Sequence, residues 1–124
     1  MFDSFKAMGQ VASLLKNKEA IKEGMARVAQ RLEQRRITAE APGGVVRVVM
    51  DGKTRVQEVR VDPALLGAAA ADEQERHRLE RLLAGAFNAA MKRTQEAVSE
   101  EVNAEAKALG LPEMPGIGAL LGGS

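Results

Sequence analysis

The apolar positions of this chain change period twice along its length. Ile21, Met25, Val28 and Leu32 recur at spacings of four, three and four, and Met8, Val11 and Leu15 keep that rhythm upstream in a shifted phase. That spacing predicts one long helix from about Ser4 to Gln34 carrying a narrow apolar seam. From Arg36 the period falls to two: Ile37, Ala39 and Ala41 alternate with Thr38 and Glu40, as in a short strand. Pro42-Gly43-Gly44 marks a turn. The next strand sets Val46, Val48 and Met50 against Val45, Arg47 and Val49. Both of its faces read as largely apolar, so both call for cover, one from helices and the other from a second protomer. Asp51-Gly52 predicts a two-residue hairpin with positive φ at both positions. The third strand ends at Val59-Arg60-Val61, and Val56 is out of phase with it, which predicts a bulge or a slipped end.

The helical period then returns. Asp62 before Pro63 is a helix start, read as one turn through Leu66, with Gly67 to Ala71 as a small-residue linker. Asp72-Glu73-Gln74-Glu75 opens the last helix with a capping-box pattern and an acidic first turn. Its stripe runs through Leu79, Leu83, Ala86/Phe87, Ala90/Met91, Thr94, Val98 and Val102 to Leu109, and Gly110-Leu111-Pro112 stops it. At 1.5 Å per residue such a helix is roughly 57 Å long. Three short strands span less than that, so its far half must project or pair. The predicted class is α+β: a long N-terminal helix, a three-stranded antiparallel meander, a short helix and a long C-terminal helix. Residues 1–111 read as one domain and residues 112–124 as a Gly/Pro-rich flexible tail.

Composition sharpens this. The aromatics are three phenylalanines, with no Trp or Tyr, and much of the apolar content is alanine, which buries little area per residue. Gly9 and Gly24 each weaken the first helix by up to ~1 kcal/mol, so tertiary or partner contacts must compensate. A thin core and overlong helices point to a homodimer. Cysteine is absent, which removes disulfides, thiolate nucleophiles and Cys-based metal sites. The N-terminus does not read as a signal peptide and no stretch has the apolar length of a membrane span; the expectation is a soluble, cytoplasmic protein.

The net charge of +1 is far from that of a strongly basic nucleic-acid binder, but it is unevenly spread. Residues 1–40 hold eight Lys/Arg against five Asp/Glu, and residues 64–124 hold six against nine. A basic first helix therefore accompanies an acidic last one. Phosphate contact requires reachable Lys and Arg. The first helix supplies Lys16, Lys18 and Lys22, then Arg27, Arg31, Arg35 and Arg36. Arg27, Arg31 and Arg35 lie four apart on one flank of the apolar stripe, with Lys18 and Lys22 on the other. The plain alternative is a solvated face partly neutralised by Glu19, Glu23 and Glu33. Lys92 and Arg93 form a second candidate patch, or else a helix face paired with Glu96. Arg47, Lys53, Arg55 and Arg60 on the hairpin form a third, weaker set.

Other residue types yield no chemistry. Phe87 reads as core, so no aromatic platform is offered to single-stranded bases and duplex DNA is the better fit. Asn88, inside an apolar helix segment, reads as a buried polar group with a structural role. His77 stands among arginines on a polar face. The glycines lack the Lys-Ser/Thr ending of a phosphate loop and are assigned to turns. Nothing isolates a catalytic carboxylate pair. No enzyme activity, cofactor, metal, membrane or small-molecule substrate is expected.

In order and spacing, several segments form a pattern: Gly43-Gly44-Val45-Val46-Arg47-Val48, Asp51-Gly52-Lys53, Val59 through Leu66, Leu79-Glu80-Arg81-Leu82-Leu83, Ala86-Phe87-Asn88-Ala89-Ala90 and Leu109-Gly110-Leu111-Pro112 with Met114-Pro115-Gly116. In these the chain resembles the YbaB/EbfC family of bacterial nucleoid-associated proteins over nearly its whole length. Ala89 stands where the family usually has an acidic residue, and Pro42 where it has no proline. The resemblance implies a tweezer-like homodimer whose sheets join the protomers and whose helices project as arms. It also implies duplex DNA binding with modest sequence preference, and a nucleoid location. The competing expectation is a dimeric scaffold whose arms hold another protein without touching DNA.

Overall fold

The computed structural model describes the backbone of residues 2–110 and the side chains of residues 17–110. In chain order the elements are α1 (Phe2–Gln34), β1 (Ile37–Glu40), a 3-10 turn (Pro42–Gly44), β2 (Val46–Met50), β3 (Val56–Val61), α2 (Pro63–Ala71) and α3 (Glu73–Ala108). The predicted α+β order holds. The tail assigned to residues 112–124 and the seam positions Met8, Val11 and Leu15 lie outside the described side chains.

The strands form an antiparallel meander in the order β1-β2-β3. Ile37 faces Met50 and Ala39 faces Val48 across the first pair; Val46 faces Val61 and Val48 faces Val59 across the second. Met50 then pairs with Val56, skipping Gln57, so the predicted bulge is present. Paired residues share a face, and on this one Ala39, Val46, Val48 and Met50 are fully enclosed with Ala86 and Ala90 of α3 and Leu65 of α2. The alanines bring α3 close onto β1 and β2. Thr94 is completely buried one turn further on, and its hydroxyl donates to the Ala90 carbonyl at 2.8 Å.

Beyond the sheet α3 continues as half of an arm. There Val98 and Val102 pack on Val28 and Leu32 of α1, which returns antiparallel along it. One helix thus serves two separate cores, one against the sheet and one against α1. This resolves the excess length: the far half of α3 pairs within its own protomer.

Four expectations change. The hairpin is not a two-residue turn with Asp51 and Gly52 at positive φ. The loop spans Asp51 to Arg55, closed by the Asp51 amide on the Arg55 carbonyl at 2.9 Å, and the positive φ falls on Thr54. The Asp51 carboxylate accepts from the Lys53 and Arg55 amides at 2.8 and 3.1 Å and holds the loop in place of the dipeptide turn. Gly67 to Ala71 is not a linker but the body of α2, because alanine favours helix and Asp62 caps it through the Ala64 amide. The outward face of the sheet is not apolar: Thr38, Arg47, Glu58 and Arg60 surround Val49, which is already fully covered. Glu58 pairs there with Arg60 at 2.6 Å and Arg36 at 3.3 Å. Finally, Asn88 is exposed rather than buried.

What lacks cover is the outer part of the helix-side face. Val56 and Val59 on edge strand β3 are 46% and 42% exposed, and Leu66 on α2 is exposed as well. The helix α3 lies over β1 and β2 and stops short of β3.

Candidate nucleic-acid interface

The arm is two antiparallel helices with an apolar seam, and its edge is a ladder of opposite charges. Arg27 donates to Glu105 through Nη2 at 2.5 Å and through Nε at 3.2 Å. Arg31 bridges Glu101 at 2.8 Å and Glu105 at 3.1 Å. Arg35 reaches Glu100 at 3.2 Å and Glu101 at 3.4 Å. Every fourth residue of α1 meets a carboxylate of α3 because the chains run in opposite directions with matching rise. Hydrogen bonds from Arg27 and then Arg31 hold the Glu105 carboxyl below its ordinary pKa, against the opposing effect of its burial. Donation to Glu101 and Glu105 raises that of Arg31. Gly24 makes the approach feasible: a Cβ there would stand 3.0 Å from Glu105 Oε1 and 3.1 Å from Leu109. The tertiary contact that the sequence requires of this glycine is therefore present.

The flank singled out for phosphate contact is thus already paired within the protomer. Its neutralising partners are not the nearby Glu19, Glu23 and Glu33 but carboxylates 65 to 78 residues away. Lys18 and Lys22 are exposed and make no ion pair among the described residues. The side chain of Lys16 lies outside those described. Arg36, 67% exposed, leads from α1 into β1 and pairs with Glu58. Lys92 is unpaired among the described residues. Arg93 donates to the Thr38 carbonyl on edge strand β1, and the alternative pairing with Glu96 is not formed.

Two of the sequence's separate patches meet at the base of the arm. A groove of about 340 Å³ is lined by Arg35, Arg36 and Arg93, with Thr38, Glu96 and Glu100 on its walls. Of the hairpin set, Arg60 is held by Glu58, Lys53 lies 3.8 Å from Glu33 and Arg47 lies 3.9 Å from Glu40. Sequence reasoning misses Lys107, exposed in the last turn of α3; a basic residue at a helix C-terminus is the signal that marks it. His77 is a surface residue between Glu73 and Glu80. No group of three potential metal ligands exists among the described residues, and none of the described helices is long and apolar enough to cross a membrane.

A comparison with protein families matches residues 8–109 to the YbaB/EbfC DNA-binding family. The chain belongs to that family. A curated nucleoid-associated protein of Sulfurihydrogenibium sp. strain YO3AOP1 is 34% identical over 104 residues, covering 84% of this chain and 87% of the relative. The crystal structure of an uncharacterised Helicobacter pylori protein superposes with a TM-score of 0.56 at 20% identity, covering 71% of this chain and 84% of that one. That likeness concerns the fold alone. The YbaB/EbfC match includes the ladder residues of α1 and α3, the whole sheet and the groove, so the elements that carry the candidate cations are family elements.

Proposed function

We propose that this protein is a homodimeric nucleoid-associated protein that binds duplex DNA chiefly through its phosphate backbone. Membership of the YbaB/EbfC DNA-binding family over residues 8–109 carries the reading. The cations Lys18, Lys22 and Lys92, unpaired among the described residues, and the partly engaged Arg36 and Arg93 support it, because they are distributed along the arm and its base. The sequence carries no zinc-finger or homeodomain motif for base readout, which favours backbone contact.

Fluorescence anisotropy of labelled duplex at two salt concentrations tests this. With about six phosphates neutralised, log K falls against log salt with a slope of about −5. Reversal of Lys18, Lys22 and Arg36 to Glu weakens binding to all sequences alike. These positions are better than Arg27, Arg31 and Arg35, whose reversal would set like charges across the arm and unzip it. Absence of binding even at low salt rejects the proposal. The scaffold alternative draws support from the neutralised ladder and the small net charge; its signature is a stable dimer that retains a protein partner and no DNA.

A further inference from the structure

We infer that Glu100 and Glu101 act as built-in competitors for the DNA backbone: they occupy the Arg31–Arg35 end of the arginine row and thereby set how tightly the arm holds phosphate. The inference rests on the DNA-binding reading above and adds a control to it. Arg27, Arg31 and Arg35 rise about 6 Å apart along one helix flank, close to the ~6.8 Å rise of two nucleotides on one strand of B-DNA. Their side chains remain 50%, 43% and 37% exposed, so the guanidinium groups are reachable while paired. Set against three carboxylates, the row presents no net charge to solvent.

The ladder does not join the helices by itself, because Val28, Leu32, Val98 and Val102 form a buried apolar seam beside it. The carboxylates also differ along it. Glu105 is nearly buried and packs over Gly24, as a structural partner would. Glu101 is about one-fifth exposed, and Glu100 is 69% exposed, touching only Arg35. Exposed ion pairs of this kind are weak and salt-sensitive, so a phosphate of higher charge density can displace the carboxylate from the guanidinium without opening the arm. Binding then exchanges one anion for another, and affinity depends on how strongly the outgoing one holds.

The test compares the full-length wild type with E100Q/E101Q and with E73Q/E80Q, which makes the same charge change at carboxylates facing only His77. Anisotropy is read with labelled duplex across a salt series, and circular dichroism confirms helicity. The expected result is that E100Q/E101Q binds about tenfold tighter at about 0.1 M salt, with a slope steeper by about 0.9 for each additional phosphate that the arm neutralises. The E73Q/E80Q control stays within about twofold of wild type, since it lies away from the row. If the double variant loses helicity, E100Q alone carries the test, because that carboxylate supports nothing but Arg35; about threefold tighter binding is then expected. Wild-type binding that E100Q/E101Q raises no more than the control does overturns the inference and leaves the DNA reading standing. Failure of every form to bind at low salt overturns both. Binding by E100Q/E101Q alone, with none by the wild type, rejects the DNA reading and with it the inference, since the native arm then holds no phosphate.

Discussion

Gly52 shows how a single position can be constrained from a distance. Its φ is not positive, so turn geometry does not demand glycine there. A Cβ would stand 2.6 Å from the Leu32 side chain and 2.7 Å from the Leu32 carbonyl, to which the Gly52 amide donates at 2.7 Å. The hairpin loop is thus pinned to the last turn of α1. Gly52→Ala must push backbone against backbone, and overpacking of this kind costs about 1–3 kcal/mol; urea denaturation should give a lower midpoint with an unchanged m-value. Gly43 and Gly44 differ, since their φ values of +80° and +69° do require glycine. The Asp51-Gly52 dipeptide signals a turn correctly in sequence. It does not disclose that the glycine serves Leu32, because that neighbour is twenty positions away and only the fold brings it near.

At the scale of elements, the two helices are legible because each keeps an apolar stripe, and buried Val28, Leu32, Val98 and Val102 lie on those stripes. Their mutual pairing is not evident from either stripe, although a signal for it exists. A basic helix and an acidic helix in one short chain are complementary, and antiparallel packing matches Arg at every fourth position with Glu at similar steps. Local spacing alone cannot distinguish arginines that await phosphate from arginines that meet a distant carboxylate. The linker reading of Gly67 to Ala71 fails for a related reason: small residues suggest flexibility, yet alanines are strong helix formers once Asp62 caps them and α3 supplies a surface. The ladder also carries a pH dependence. The folded state holds the Glu105 pKa down, so its contribution is present above the unfolded value of about 4.3. That contribution is lost as pH falls through the lowered folded value. Thermal melts should show the wild type losing stability in that acid range. Glu105→Gln should start lower at neutral pH and decline less, with Glu58, similarly lowered by Arg60 and Arg36, supplying the remaining slope.

For the whole molecule, the decisive observation is where cover is missing. The sequence points to the outward face of β2, but charged pairs occupy that face and Val49 is already enclosed. The bare apolar surface is at β3, on the side that α3 covers elsewhere, with Val56 and Val59 exposed. In the proposed homodimer this surface is the one expected to seat the second copy. Val59→Lys should therefore shift light scattering from dimer to monomer mass, while circular dichroism stays close to wild type, since Val59 contributes little inside one protomer. A dimer that persists in this variant would move the contact elsewhere.

The Arg93 guanidinium on the Thr38 carbonyl has a further consequence. It occupies a main-chain acceptor on β1, a strand of only four residues and a poor template for another chain. The opposite border of the sheet, at β3, has no such plug among the described residues. A sheet open at one border and stoppered at the other has room for a single neighbour, and when two open borders meet, neither is left to recruit a third. In the proposed homodimer, assembly is therefore expected to stop at two copies rather than extend into fibres.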